Sequence, residues 1–343
     1  MSSSVQMIAR SWSLQPLARF SESVFSHTPE GAHNFFRSRL VQTGLAALLV
    51  LRLLKSISNQ LSWYSMNNYT RLAPWDPDRE LVLITGGSSG IGEQIMKDLA
   101  KQKVTVIILD IQEPRSRLPP GVFFYKADVT SRESVKAVAE VIRKDHRDPT
   151  ILINNAGVGY GRTIIEEPEE MIRLTFEVNI LAHFWTVKEF LPSMVRHNHG
   201  HIITIASLAS FAALGEAVDY ACTKAGALAF HEGLTQEIRH WYKAKNIRTS
   251  IIHPLWVRTQ MIDDLVKAGK HFRQRILSPD DVSRAVLKQI ITQSSGQIII
   301  PSSHQPATML RAFPQWLQEY LRNKNSQDLI RVRALRRSSN GDI

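Results

Sequence analysis

The stretch Thr85-Gly86-Gly87-Ser88-Ser89-Gly90-Ile91-Gly92 decides the fold, because it joins two different hydrophobic patterns. The preceding run, Leu81–Thr85, is typical of a buried strand, and the residues after Gly92 have helical periodicity. Glycines permit a tight turn and a close approach of backbone N–H groups to a ligand, and the start of a helix favours an anion. The turn therefore predicts a site for the pyrophosphate of a dinucleotide. Its predicted contacts are Gly86, Ser88, Ser89, Gly90, Ile91 and Gly92.

Six further short apolar runs follow, separated mostly by amphipathic stretches such as Ser131–Asp145 and Tyr220–Trp241. The runs are Val104–Asp110, Val122–Lys126, Ile151–Asn154, His201–Ile205, Arg248–Ile252 and Gln297–Ile300. This alternation is typical of a parallel sheet covered by helices on both faces. We therefore predict an α/β, Rossmann-like, doubly wound domain with a seven-stranded parallel sheet over residues 79–303.

The acidic residue at the end of the second predicted strand, Asp110, bears on the choice of dinucleotide. A carboxylate at this place accepts hydrogen bonds from the adenosine ribose, and it repels a 2′-phosphate. The glycine-rich turn contains no Lys or Arg, and Ile111 and Gln112 follow Asp110. The sequence therefore predicts NAD as the cofactor, with NADP as the alternative.

A phenol and an amine, Tyr220 and Lys224, are four residues apart and so share one face of a predicted helix. A free tyrosine has a pKa of about 10, which makes it a poor base at neutral pH. A nearby ammonium favours the phenolate, so we expect Lys224 to lower the pKa of Tyr220. By itself such a pair is a common surface arrangement, and it becomes informative only with Ser207 and the glycine-rich turn.

Together these motifs resemble those of the short-chain dehydrogenase/reductase family. Thr85–Gly92 matches the TGxxxGxG turn of that family, and Asn154–Gly157 matches its NNAG stretch. The resemblance implies a catalytic tetrad of Asn179, Ser207, Tyr220 and Lys224. It also implies cofactor contacts for Tyr220 and Lys224 and for Asp128, Val129, Asn155, Ala156, Gly157, Pro254, Val257 and Thr259. One departure is Leu255, which stands where the family usually has Gly.

The resemblance implies an NAD(P)-dependent enzyme that acts on CH–OH groups. Tyr220 would take the proton from a substrate hydroxyl as hydride passes to the nicotinamide, and Ser207 would hydrogen-bond the substrate oxygen. Lys224 would stabilise the phenolate and hold the nicotinamide ribose. Asn179 would position a water that relays protons to Lys224.

One strongly apolar run, residues 40–54, precedes the domain. As a helix it would span about 22 Å, less than the roughly 30 Å hydrocarbon core of a membrane. Extension to Trp63 and Tyr64 adds length and an aromatic pair suited to the membrane interface. We predict a membrane anchor over residues 40–64; the alternatives are a helix packed on a protein surface and a signal peptide. Residues 1–39 are predicted to be a disordered leader, with a mitochondrial transit peptide as the alternative.

The C-terminal part has two patterns. Apolar residues in 304–321 have the spacing of an amphipathic helix. Residues 322–343 contain six basic and two acidic residues, which is typical of a disordered basic tail. The single cysteine, Cys222, excludes an intrachain disulfide and a cysteine-cluster metal site, and we predict no metal. The formal charge of +11 comes without a nucleic-acid-reading motif, so no nucleic acid is expected as a partner.

The apolar segment before the domain resembles the membrane-associated subgroup of the family, which includes retinol, hydroxysteroid and long-chain alcohol dehydrogenases. This resemblance implies a lipophilic alcohol or carbonyl substrate, in a pocket covered by Gln260–Leu277. It also implies a place at the endoplasmic reticulum or a lipid droplet with the domain facing the cytosol, and the mitochondrion is the alternative. A homodimer is a further expectation. The competing functions are an NADP-dependent ketoreductase of a secondary metabolite and a non-catalytic membrane or lipid-droplet scaffold.

Overall fold

A parallel seven-stranded sheet forms the centre of the chain in a computed structural model that describes residues 39–340. Its strands lie in the order β3-β2-β1-β4-β5-β6-β9, and every neighbouring pair is parallel. They are β1 (Leu81–Thr85), β2 (Thr105–Asp110), β3 (Val122–Lys126), β4 (Ile151–Asn154), β5 (Gly200–Ile205), β6 (Ile247–Pro254) and β9 (Gly296–Ile300). Two short strands, β7 (Trp256–Val257) and β8 (Ile276–Leu277), pair separately. The predicted fold class is confirmed, and each predicted strand lies within two residues of an observed one.

Helices connect the strands. The α-helices are α1 (Arg39–Met66), α2 (Gly90–Lys101), α3 (Arg132–Asp145), α4 (Glu169–Phe176), α5 (Ala182–His197), α6 (Val218–Gln236), α7 (Asp263–Lys267), α8 (Pro279–Ile291) and α9 (Gln315–Asn340). Two π-helical segments, Glu177–Leu181 and Glu237–Trp241, continue α4 and α6. Helix α8 begins with a capping box, in which Ser278 and Asp281 satisfy each other's backbone N–H groups.

The core consists of two apolar layers, one on each face of the sheet. Neighbouring residues of β1 face opposite layers, because side chains alternate along a strand. Ile84 joins the layer that contains Ile95 of α2, whereas Leu83 joins the layer that contains Phe190 of α5. Because helices cover both faces, the strands are apolar on both sides, and this is why their runs stand out in the sequence.

Helix α1 has the length and composition of a membrane-crossing helix. The stretch Val41–Met66 meets both conditions, and its leucines are exposed, with Leu49 exposed by 67%. These are the properties that the predicted anchor at residues 40–64 requires. The predicted leader, residues 1–39, lies outside the described residues apart from Arg39.

The C-terminal prediction is wrong in two places. Residues Ser302–Ala312 form a 3-10 helix rather than the start of an α-helix, because Pro306 and Pro314 lack the N–H group that a regular helix needs. The α-helix begins only at Gln315, and it continues to Asn340 through most of the predicted disordered tail. Leu329 and Val332 on this helix are buried against Phe272 and its neighbours. This apolar contact, which the basic composition does not reveal, explains why the tail is helical.

Three histidines, His183, His201 and His253, are buried in the described part of the chain, and His231 is partly buried. Burial lowers the pKa of His183 and His201 to about 3, and it lowers the pKa of His231 and His253 to about 4. His201 hydrogen-bonds to Ser250 (Nε2 to Oγ, 2.9 Å), whereas neither ring nitrogen of His183 has a partner among the described residues. The folded chain therefore holds these imidazoles neutral where an unfolded chain protonates them.

We expect acid to destabilise the protein from about pH 6.5 downward. Below that pH the unfolded chain binds protons that the folded chain does not, so each such histidine lowers the free energy of unfolding by up to about 1.4 kcal/mol per pH unit. His183→Phe keeps a ring beside Phe230 and removes one titrating group, so the slope between pH 6 and 4 should become shallower by about that amount. Urea unfolding at several pH values measures the slope, and the exposed His271→Phe is the control. An unchanged slope in His183→Phe would contradict the assignment.

Candidate active site

The glycine-rich turn lies between β1 and α2 and leaves no room for side chains. Gly86 and Gly90 have φ values of +66° and +56°, in the left-handed region that favours glycine. A Cβ on Gly86 would lie 2.8 Å from Cα of Ala156, and one on Gly92 would collide with the carbonyl oxygen of Gly86. The turn is therefore a backbone-lined cradle at the carboxyl edge of the sheet.

Asn155 fixes this turn to the neighbouring strand. Its Nδ2 donates to the carbonyl oxygens of Thr85 (3.0 Å) and Gly86 (2.9 Å). In return, Oγ1 of Thr85 accepts from the backbone N–H groups of Asn155 (3.0 Å) and Ala156 (3.1 Å). The structure thus places Asn155 and Ala156 beneath the turn, where they set its shape.

Asp110 lies beside the turn, as predicted from the strand pattern. Its Oδ2 accepts from the backbone N–H of Ser88 and its Oδ1 from that of Gln112, both at 3.0 Å. The hydroxyl of Ser88 is buried and has no partner among the described residues. A glycine cradle, an unpartnered hydroxyl and a carboxylate at the strand end are what the phosphates and ribose of a dinucleotide require. The residues present therefore fit that group.

The other predicted cofactor contacts are spread around the same edge. Asp128 accepts from the N–H and the hydroxyl of Thr130 in the turn after β3 (2.9 and 2.7 Å), and Pro254 ends β6. Val257 is buried in the apolar layer, and a methyl group of Thr259 lies 3.2 Å from where a Cβ of Gly90 would be. Their contacts with the cofactor stay predictions.

The four predicted catalytic residues meet at the segment that follows β4. A Cβ built on Gly157 would lie 3.4 Å from Oδ1 of Asn179 and 3.6 Å from Nζ of Lys224, and one on Gly159 would lie 3.0 Å from Cδ2 of Tyr220. Nζ of Lys224 lies 5.5 Å from the centroid of the Tyr220 ring. Ser207 follows β5 and also hydrogen-bonds to Tyr220.

Asn179 lies in the π-helical segment Glu177–Leu181. Its Oδ1 accepts from the N–H of Val158 (2.8 Å), and its Nδ2 donates to the carbonyl of Val158 (2.9 Å) and to Oγ1 of Thr223 (3.1 Å). The side chain therefore ties the segment after β4 to α6. π-Helical turns are frequent at functional sites, and the water-positioning role of Asn179 stays a prediction.

Comparison with known proteins agrees with this geometry. The family model described as short chain dehydrogenase matches residues 80–270. The chain is 44% identical to "Dehydrogenase RED2" of Cochliobolus heterostrophus over 201 residues, which is 58% of this chain and 76% of that protein. It is 34% identical to "Estradiol 17-beta-dehydrogenase 11" of Homo sapiens over 256 residues, 72% of this chain and 83% of the relative.

The chain belongs to the short-chain dehydrogenase family. It is accordingly an NAD(P)-dependent oxidoreductase, and the predicted family and enzyme class are confirmed. Among solved structures, the fold is similar to that of a 3-ketoacyl-(acyl-carrier-protein) reductase from Brucella melitensis complexed with NADH. The two chains are 22% identical with a TM-score of 0.59, over 65% of this chain and 96% of the reductase.

The charge balance at the active site of this short-chain dehydrogenase differs from our expectation. Burial raises the pKa of Tyr220, and the hydrogen bond with Ser207 opposes that rise. Burial lowers the pKa of Lys224 to about 8, and its Nζ donates to the carbonyl oxygen of Ile205 (3.0 Å). The prediction that Lys224 lowers the pKa of Tyr220 is therefore wrong for this geometry, because the ammonium is directed at a carbonyl rather than at the phenol.

An apolar cluster lies in the loops after β6, where Gln260–Leu277 was expected to cover the substrate pocket. Ile262, Leu265 and Phe272 are buried there, whereas Met261 is exposed by 43%. Leu329 and Val332 of α9 belong to the same apolar cluster, and the sequence pattern did not predict their contact with it. Their apolar spacing within the basic tail was the available signal.

Helix α9 is also held by charge. Arg333 pairs with Glu166 (2.5 Å) in the loop after β4 and with Glu216 (3.0 Å) in the loop after β5. The helix therefore contacts three loops at the carboxyl edge of the sheet, which is the edge that carries the predicted catalytic residues.

Gly92 should be sensitive to substitution, because the glycine-rich turn packs closely around it. In Gly92→Ala the new Cβ collides with the carbonyl of Gly86 and comes within 2.5 Å of Nδ2 of Asn155. We expect the free energy of unfolding to fall by about 1–3 kcal/mol, because overpacking forces backbone shifts. The control is Gly233→Ala, where nothing lies within 4 Å of the new Cβ in the last turn of α6; it should be neutral or stabilising. Equal denaturant midpoints for the two variants would contradict this view of the turn.

Proposed function

We propose that this protein transfers a hydride between NAD and a lipophilic alcohol or its carbonyl counterpart, at a membrane or lipid-droplet surface. The observation that carries the proposal is the meeting of Ser207, Tyr220 and Lys224 beside the glycine-rich turn. Each of these side chains is common by itself, but together they supply a proton donor and acceptor, a hydrogen-bonding hydroxyl and a cation at one place.

The residues divide the work of moving one proton and holding one oxygen. The dinucleotide, when bound, supplies the hydride chemistry. The hydroxyl of Ser207 holds the substrate oxygen and Tyr220 exchanges a proton with it. The buried ammonium of Lys224, next to Gly157, would hold the ribose hydroxyls of the bound dinucleotide and would supply positive charge as the proton moves. Asn179 keeps Lys224 and the segment after β4 in place through Val158 and Thr223.

The pKa shift of Tyr220 bears on the protonation state in which the phenol begins. Because burial raises the pKa of Tyr220, the phenol is protonated at neutral pH. A protonated phenol is suited to donate to a carbonyl oxygen, which is the proton transfer of the reductive direction. Oxidation requires the phenolate, whose formation Ser207 favours through its hydrogen bond.

Three features support a lipophilic substrate. The loop after β6 and helix α9 bury an apolar cluster next to the catalytic edge. A relative that is 34% identical has the name of an estradiol dehydrogenase. Helix α1 has the length and composition to hold the enzyme in a bilayer. We propose the endoplasmic reticulum or a lipid droplet as its location, with the domain in the cytosol.

We expect Tyr220→Phe to lower kcat by at least about 100-fold, because the variant keeps the ring and loses the group that exchanges the proton. The measurement is turnover of retinoids, steroids and long-chain alcohols, and of their carbonyl forms, with NAD(H) and NADP(H). The exposed Tyr242→Phe is the matched control and should keep wild-type turnover. Equal activity of Tyr220→Phe and the wild type would remove Tyr220 from the mechanism. A wild-type protein that binds the dinucleotide but turns over nothing in the panel would favour the scaffold.

The choice of cofactor depends on Asp110. We expect the wild type to bind NAD at least about 10-fold more tightly than NADP, because the carboxylate repels a 2′-phosphate. Asp110→Asn should narrow that ratio, since it removes the charge and keeps an acceptor for a backbone N–H. Glu113→Gln removes the same charge at a nearby exposed position and should leave the ratio unchanged. Titration calorimetry with both dinucleotides measures the ratio of the two dissociation constants. Tighter binding of NADP than of NAD by the wild type would contradict the predicted preference for NAD.

A further inference from the structure

A cavity of about 670 Å³ opens at the amino edge of the sheet, opposite the edge that carries Tyr220. Its walls come from the segment before β1, the turn between α5 and β5, and the start of β6. The lining includes three arginines, Arg71, Arg79 and Arg248, together with His197 and His199. The proposed reaction uses none of these side chains, so the cavity needs an explanation of its own.

The three arginines that line the cavity lack ion pairs among the described residues. Within residues 39–335, whose side chains are described apart from residue 40, no ion pair joins Arg71, Arg79 or Arg248 to a carboxylate. Three guanidinium groups thus line one cavity with no ion pair to a carboxylate in the described part of the chain, although the charge of Glu80 interacts with that of Arg79, and this arrangement favours an anion.

Arg248 is the most significant of the three arginines, because its side chain is buried and only 2% of the residue is exposed. Its guanidinium donates to the carbonyl oxygen of Asn67 (2.9 Å), to Oγ1 of Thr70 (2.9 Å) and to the carbonyl oxygen of Arg71 (3.4 Å). Neutral oxygens satisfy its hydrogen bonds but do not balance its charge, and a buried charge without a counter-ion is costly. Burial accordingly lowers the pKa of Arg248.

The carboxylate of Glu80 lies behind the cavity and already has several hydrogen-bond partners. Glu80 is 2% exposed, and its carboxylate contacts Nε2 of His199 at 3.0 Å and accepts from Nε2 of Gln293 at 3.4 Å. It also accepts from the hydroxyl of Thr150. One carboxylate shared among these partners cannot neutralise three arginines, so the cavity keeps a net positive charge.

The cavity is close in the chain to the end of the apolar helix. Nδ2 of Asn67 donates to the carbonyl oxygen of Trp63 (2.8 Å), and the carbonyl oxygen of Asn67 accepts from Arg248. Trp63 and Tyr64 stack edge to face with centroids 5.0 Å apart, as an aromatic pair suited to a membrane interface. Arg71 is the fifth residue after Met66, so it lies within about 18 Å of the end of the helix.

We infer that this cavity binds the phosphate of an anionic membrane phospholipid through Arg71, Arg79 and Arg248. The choice of a lipid over a free phosphate rests on the membrane attachment in the proposed function. Headgroups of anionic lipids attract basic residues next to a membrane segment. A guanidinium group can bind a phosphate through two parallel hydrogen bonds. The negative charge of the bound headgroup balances the positive charge of Arg248. The same contact holds the amino edge of the sheet at the membrane surface.

The first test asks whether the cavity binds phosphate. Full-length protein in detergent, with NAD at saturation to fill the dinucleotide site, is heated in phosphate and in chloride of equal ionic strength. At about ten times its Kd, phosphate should raise the Tm by roughly 2–4 °C. Arg71→Gln/Arg79→Gln should abolish the shift, and the exposed pair Lys136→Gln/Lys188→Gln, which removes the same charge, should keep it. An equal shift in both double variants would overturn the site.

The second test identifies the source of the phosphate. Full-length protein is reconstituted into vesicles of phosphatidylcholine, with and without about one fifth phosphatidylserine, and carbonate extraction confirms its retention. Amide hydrogen exchange in residues 71–79 and 197–199 should slow about fivefold with phosphatidylserine in the wild type and not in Arg71→Gln/Arg79→Gln. A phosphate-dependent Tm without this protection would overturn the lipid in favour of a soluble anion. Release of the wild type by carbonate would refute stable membrane attachment and the lipid source together, whereas the Tm measurement still decides whether the cavity binds phosphate.

Discussion

The amide of Asn155 holds the active-site edge together, because it donates to the carbonyls of Thr85 and Gly86 at the point where β1 and β4 separate. In an open parallel sheet, chain connections leave neighbouring strands in opposite directions at such a point, and a crevice opens between them. The glycine-rich turn occupies one side of this crevice, and Gly157 occupies the other. Since Asn179 and Lys224 approach Gly157, the position of the catalytic groups depends on the same clamp.

The sequence predicted the sheet well because its strands are buried on both faces. Such strands are continuous apolar runs rather than alternating ones, and turn residues interrupt them clearly. The strand limits of Leu81–Thr85 and Val122–Lys126 were identical in prediction and structure. The prediction of a disordered C-terminal tail was wrong, because long-range contacts determine the structure there. Leu329 and Val332 stand among basic residues, and only a partner more than fifty residues away, Phe272, turns that stretch into a helix.

Sequence also predicted which candidate catalytic side chains lie close together, without giving their electrostatics. Spacing placed Tyr220 and Lys224 on one helix face, and they do lie close together, with 5.5 Å between Nζ and the ring centroid. The pKa depends instead on burial and on where the ammonium points. Both are tertiary properties, because the carbonyl of Ile205 that accepts from Lys224 belongs to β5. A motif therefore predicts which groups lie together but does not give their protonation state.

The two edges of the sheet differ in chemistry, and their separation keeps them independent. The strand between the glycine-rich turn and the cationic cavity, β1, has five residues and so spans about 17 Å. At physiological ionic strength the Debye length is about 8 Å, so exposed charges such as those of Arg71 and Arg79 are largely screened over that distance. Neutralising these arginines should therefore leave the protonation of Tyr220 unchanged. The strand is fully buried and hydrogen-bonded on both sides, so the two edges are held at a fixed distance from each other.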